Sequence, residues 1–181
     1  MDFPIDNSVS PLLIHGFSRY TSAVAHKAAF TAMSSASSNW PAAGQASYIP
    51  FTLPWCYPVR RMFWMNGSAV GGTCTIGLYT KDGANLYRSA ATTTAGASLP
   101  QYVTVSPELL IGPGQLYLGI AFSGTTNVSF GGSNMTAISG RMMGLLQQSA
   151  IPAAGVAATF AAWNSVGGFP VCGFTKTASG F

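Results

Sequence analysis

Charge is what this chain lacks most. Four acids and eight Lys/Arg are spread over 181 residues, 7% of the sequence, where an ordinary soluble domain carries about 25%. A surface this neutral favours association over solitary solubility. It also leaves little titratable material for catalysis. General acid/base chemistry needs two titratable groups held together, and the acids are Asp2, Asp6, Asp82 and Glu108. Asp82 sits in a Lys-Asp-Gly turn and Glu108 follows Ser-Pro, so both read as turn residues, and Asp2 and Asp6 lie near the start. The two histidines, His15 and His26, are not spaced i, i+4, and no H-E-x-x-H, G-x-S-x-G or phosphate-loop pattern occurs. Catalysis is not expected, and neither is a cofactor.

Cysteine is scarce too. Cys56, Cys74 and Cys172 are an odd number with no C-x-x-C spacing, which argues against a zinc site and for buried thiols acting as small hydrophobes. A Cys56–Cys74 cross-strand disulfide is the one pairing considered, and sequence alone does not support it. No apolar run approaches the roughly 18 residues a spanning helix needs, despite a mean hydropathy of +0.32. No membrane partner is expected. The opening MDFPIDNSVSPLLIHGF starts on acids and has only a short apolar run, so a secretory leader is not expected. The Asn-x-Ser/Thr triplets at Asn66, Asn127 and Asn134 therefore read as turns. The net charge is +4, but among the basic residues only Arg60 and Arg61 are adjacent. Nucleic-acid proteins cluster Lys/Arg on one face, so no direct nucleic-acid contact is expected.

What is present is β-forming. Gly (21) and Pro (11) are dispersed among Val, Thr, Tyr and Phe, a mix suited to short strands and many turns. Residues 1–45 read as an extended N-terminal arm with apolar anchors (Leu12, Leu13, Ile14, Phe17) and an Ala-rich stretch able to form a short helix. Residues 46–181 read as the body, with an apolar C-terminal segment ending on Phe181. SYIPFTL alternates as a strand whose Pro50 argues for an edge. VRRMFWM runs to Asn66-Gly67, a tight-turn dipeptide. Residues 73–90 read as a hairpin about Lys81-Asp82-Gly83. QYVTV is followed by a Ser106-Pro107 break and a Gly-Pro-Gly turn. LYLGIAF is a near-continuous apolar strand expected at a sheet centre. NVSF (127–130) is expected to pair next to it, GRMMGLLQ reads as a strand or a helical turn, and a last strand is expected at 169–174. The fold class expected is all-β, an antiparallel β-sandwich or jelly roll.

Most of the large aromatics read as core packing. Trp40, Trp55, Tyr57, Trp64, Tyr79, Tyr87, Tyr102 and Tyr117 are the aromatics a glycan-stacking platform would draw on, with Trp40 and Trp55 the ones to test. In L-P-W-C-Y-P-V-R-R, strict alternation sends Arg60 and Arg61 to opposite faces, so one of them must find a partner or an interface. The candidate interface residues are thus Leu12, Leu13, Ile14, Phe17, Trp40, Trp55, Arg60, Arg61 and Phe181.

The segment SSNWPAAGQASYIPFTLPWCYPVRRMFWMNGSAVGGTCTIGLYTKDGANLY, together with the closing CGFTKTASGF, resembles small virion-associated proteins of tailed bacteriophages. The resemblance implies a β-sandwich unit, often a homotrimer, that decorates or cements the head beside the major capsid protein or belongs to the tail apparatus. It brings no catalytic residues. The expectation is a virion structural protein, most simply a capsid decoration subunit, with a tail-associated receptor- or glycan-binding module as the alternative.

Overall fold

The computed structural model describes residues 12–13, 37–40, 43–124, 127–135, 146–148, 161–162, 167–170 and 172–176. The strands are β1 (Leu12–Leu13), β2 (Ser37–Asn39), β3 (Ala46–Leu53), β4 (Tyr57–Met65), β5 (Thr73–Thr80), β6 (Asn85–Arg88) and β7 (Thr92–Thr93). They continue with β8 (Pro100–Ile111), β9 (Gly114–Phe122), β10 (Asn127–Met135), β11 (Leu146–Gln148), β12 (Ala161–Ala162), β13 (Gly167–Pro170) and β14 (Cys172–Thr175). No helix occurs among the described residues. A seven-stranded sheet runs β12-β11-β3-β9-β5-β6, with β7 beside one end of β5. A four-stranded sheet runs β1-β14-β4-β8, and a smaller one runs β13-β10-β2.

The two larger sheets pack face to face as an antiparallel β-sandwich, and the period-2 pattern of their strands makes the core. Ile49 and Leu53 of β3, Cys74, Ile76 and Leu78 of β5, and Leu116, Leu118, Ile120 and Phe122 of β9 line one wall. Val59, Met62 and Trp64 of β4, Val105 and Ile111 of β8, and Cys172 and Phe174 of β14 line the other. Phe174 joins the walls, its ring 5.3 Å from those of both Phe51 and Tyr57. Each fully buried Leu, Ile or Phe contributes about 1.5–3 kcal/mol. Exposed ion pairs contribute about 0–1 kcal/mol, so apolar burial rather than charge holds this fold.

A second cluster lies on the opposite face of the seven-stranded sheet, where Ala46, Tyr48, Tyr79 and Ala121 are buried beside Tyr117. Tyr48 and Tyr79 meet edge to face at 5.3 Å and 76°. Between them in the sheet is Gly119, opposite Tyr48 on one side and Gly77 on the other. A Cβ at Gly119 would come within 2.9 Å of both rings. The absent side chain is the space the tyrosines occupy, an aromatic covering of glycine within a sheet.

LYLGIAF is the centre of its sheet as expected, β9 lying between β3 and β5. The 73–90 hairpin also forms, with Gly77 opposite Arg88 and Leu78 opposite Tyr87. Other local expectations are corrected. Strand β3 is interior, not an edge, but β11 pairs only with its residues 46–48, so Pro50 lies beyond the segment that needs a donor on that side. Ser106-Pro107 does not end a strand, because β8 runs through it with a shift of register against β4. Asn66-Gly67 does not close a hairpin, because residues 66–72 carry the chain from β4 in one sheet to β5 in the other. NVSF does not pair with β9; it belongs to β10, which pairs with β2 and β13. Residues 169–174 divide between β13 and β14 in different sheets. Leu146–Gln148 is a strand. The Ala-rich stretch of the arm, with Ile14, Phe17 and Phe181, lies outside the described residues.

Candidate functional site

The arginine pair falls on one side of the molecule. Between the rungs Val59↔Leu109 and Arg61↔Thr104, β4 advances two residues while β8 advances five. This bulge resets the alternation, so that Val59 and Met62, three apart, both enter the core. Arg60 and Arg61 between them both stay off it. The expectation that alternation splits the pair is therefore corrected.

The two arginines have different partners. Arg60 Nε donates to Glu108 Oε2, an ion pair with side chains 53% and 40% exposed. The Arg61 guanidinium lies 5.4 Å from the centroid of the Tyr102 ring, within range for a cation–π contact. Next along the same strands is the rung Pro58↔Leu110, where Leu110 is 65% exposed while its neighbours Leu109 and Ile111 turn into the core. The outer side of β4 and β8 thus carries an exposed leucine, an ion pair and an Arg–Tyr stack in succession.

Trp55 stands at the head of this strip. It sits in the β3–β4 loop, 51% exposed and flanked by Pro54 and Cys56. The Cys56 thiol donates weakly to Gly112 O at 3.4 Å, tying this loop to the β8–β9 turn. Gly112 has φ +82, and a Cβ there would come within 2.9 Å of Trp55 O and 3.1 Å of Leu53 Cβ. The Gly-Pro-Gly turn is therefore what lets the two loops close on each other.

Charge is unevenly placed. Among the described residues the charged side chains are Arg60, Arg61, Lys81, Asp82, Arg88, Glu108 and Lys176. All but Arg88 lie toward the Trp55 end, since Thr80 pairs with Leu116 and Thr175 with Arg61. The loops at the other end, residues 66–72 and 94–99, carry none. They are held by neutral bonds centred on Asn66, which is 2% exposed. Its Oδ1 accepts from Trp64 Nε1 at 2.9 Å, and its Nδ2 donates to Ala95 O at 2.7 Å and Gln101 Oε1 at 3.1 Å, with Gly96 O at 3.3 Å. Asn66 was not legible as a structural centre from its place in an Asn-Gly dipeptide.

Trp40 is 1% exposed, packs its ring against that of Phe122 at 5.0 Å with a 56° tilt and donates its indole N–H to Gln45 O. It contributes to the core and offers no face to a partner. Leu12 and Leu13 pair through their backbones with Phe174 and Gly173. Sequence reasoning named Tyr102 only as a possible platform aromatic and missed Glu108 and Leu110 as site residues; nothing short of the strand register places the three beside the arginines.

The displaced ionisations all run one way. Burial pushes the phenols of Tyr57 and Tyr79 up to about 12 and raises those of Tyr48 and Tyr87. Burial likewise raises the thiols of Cys74 and Cys172. Each is held more firmly protonated, the opposite of an activated nucleophile. Among the described residues no three His, Cys, Asp or Glu side chains come together as metal ligands, and no helix is long and apolar enough to cross a membrane. Comparison with protein-family models, curated proteins and solved structures finds no match for this chain.

Proposed function

We propose that this protein is a non-enzymatic structural subunit of a bacteriophage particle, most simply a decoration or cement protein on the capsid. The observation that carries the association is the β4/β8 strip, where Leu110, Tyr102, Arg60, Arg61 and Glu108 share one outer side. Tyr, Trp and Arg are the residues that dominate protein–protein binding energy. Ion-paired charge on the strip gives it orientation and lets it meet a second copy or a shell protein without stranding a like charge. The virion setting rests on the resemblance of residues 37–87 and 172–181. Obligate interfaces are more apolar than ordinary surface, which accounts for a chain so poor in charge.

Two measurements test the reading. Mass spectrometry of purified particles should find the chain at a copy number comparable with the major shell protein; its absence from particles refutes the virion setting. Light scattering on the purified chain should show a symmetric oligomer, dissociated by Leu110→Glu with the β-sheet circular dichroism unchanged. An oligomer indifferent to that change moves the interface elsewhere.

A receptor-binding reading is favoured by one observation, the half-exposed indole of Trp55 at a loop tip beside the charged end. Glycan binding lost in Trp55→Ala with the fold intact, and a copy number far below that of the shell, would support it.

A further inference from the structure

We propose that Cys74 and Cys172 are an inter-sheet disulfide site, closed when the chain folds in the presence of an oxidising thiol–disulfide couple. All three cysteines are thiols in the structure. Cys74 is the second residue of β5, opposite Phe122 at the end of β9. Cys172 is the first residue of β14, opposite Trp64, one residue from the end of β4. Residues 66–72 connect those same ends of β4 and β5, so the two cysteines lie in one layer at one end of the sandwich, on facing walls. Both are 0% exposed and both belong to the same buried cluster. Proximity also shows in their ionisation: after burial, the charge of Cys172 is what raises Cys74 further.

Cys56 is excluded as a partner by position. It precedes β4, and the nine residues of β4, at about 3.3 Å each, separate it from the Cys172 layer. The same separation corrects the Cys56–Cys74 pairing considered from the sequence. Cys56 is exposed, so it is the thiol that answers to reagents in the native state.

Burial makes Cys74 and Cys172 poor nucleophiles, so closure belongs to folding or to opening of the β14 end. One thiolate attacks the disulfide of oxidised glutathione, forming a mixed disulfide and expelling one glutathione thiolate. The second protein thiolate then attacks the protein-side sulfur and expels the other glutathione. Two electrons pass from the protein to glutathione disulfide, and the two thiol protons end on the two released glutathiones. The bridge would fasten β14, a late-arriving strand of the four-stranded sheet, to a strand of the opposite sheet.

The test refolds the full chain in a mixture of reduced and oxidised glutathione, blocks residual thiols under denaturing conditions and maps tryptic peptides. The expected product has one blocked thiol, Cys56, and a cross-link between peptide 62–81, which holds Cys74, and peptide 142–176, which holds Cys172. Cys56→Ser should keep that cross-link. Chain that regains native circular dichroism with both Cys74 and Cys172 blocked, or bridged through Cys56, overturns the proposal.

Discussion

Replacing Asn66 by Asp changes one NH2 to an oxygen of nearly the same size and reverses what the site can accept. The indole N–H of Trp64 keeps its acceptor, because Oδ1 is untouched. Nδ2, however, faces acceptors among the described residues: Ala95 O at 2.7 Å, Gln101 Oε1 at 3.1 Å and Gly96 O at 3.3 Å. Two amide protons are lost, at about 1 kcal/mol net for each bond, and acceptors left without donors cost about 1–3 kcal/mol more. A carboxylate confined among carbonyl oxygens at a site 2% exposed brings the loss to about 3–5 kcal/mol at neutral pH. That is a large share of the roughly 5–15 kcal/mol that holds a domain together.

The loss should depend on pH with a definite sign. Burial and the surrounding oxygens raise the folded-state pKa of the new carboxyl above its unfolded value near ~3.9. Above that value the unfolded chain releases its proton while the folded chain retains it, so stability falls as pH rises and recovers as pH drops. Asn66→Ala should be destabilised without this slope. Urea unfolding of the three proteins at pH 4 and pH 7 decides the matter. A loss below about 1 kcal/mol for Asn66→Asp at pH 7, or equal losses for both variants at both pH values, would show that Asn66 does not anchor these loops.

Gly119→Ala drives a methyl against the rings of Tyr48 and Tyr79, each 2.9 Å from the new Cβ, and should cost about 1–3 kcal/mol in chemical denaturation; an unchanged midpoint would mean the tyrosines are not packed on that glycine. Tyr57 and Tyr79 titrate at about 12 in the folded chain against 10.0 when unperturbed, so their contribution is present below pH 10 and lost as pH rises toward 12. Thermal midpoints should therefore fall over that window; a midpoint that holds level from pH 10 to pH 12 refutes the burial. Arg60→Ala should shift stability by less than about 1 kcal/mol because its pair with Glu108 is solvent-screened, and a larger loss would mean the pair holds the bulge in place.

Much of the sandwich is legible in the sequence because its signal is local. Leu116, Leu118, Ile120 and Phe122 alternate with smaller or amphipathic residues, and β9 is where such a strand belongs, at a sheet centre. Thr-Lys-Asp-Gly-Ala turns back on itself, with Gly83 at φ +84, and the hairpin follows. The strip on β4/β8 is not legible, because it depends on how many residues β8 inserts opposite Val59–Arg61, a fact about the partner strand. Asn66-Gly67 has the chemistry of a hairpin turn, yet Asn66 is claimed by carbonyls that only the crossing to the other sheet brings near. Pro50 fails as an edge marker for a related reason: β11 stops pairing before it reaches the proline. Each miss lies where a distant segment, not the local composition, sets the outcome.

The register of the four-stranded sheet has a consequence for biosynthesis. Strand β14 lies between β1 and β4, with Phe174 opposite both Leu12 and Met62. Its neighbours leave the ribosome long before it does. Until Cys172–Thr175 emerges, β4 has an open hydrogen-bonding edge and β1 has nothing to pair with. The seven-stranded sheet can gather β3, β5, β6 and β9 during synthesis, but its companion closes only after translation has passed residue 175. Nascent chains halted before that point should hold sticky half-sandwiches, and crowded polysomes are where this protein would most need a chaperone.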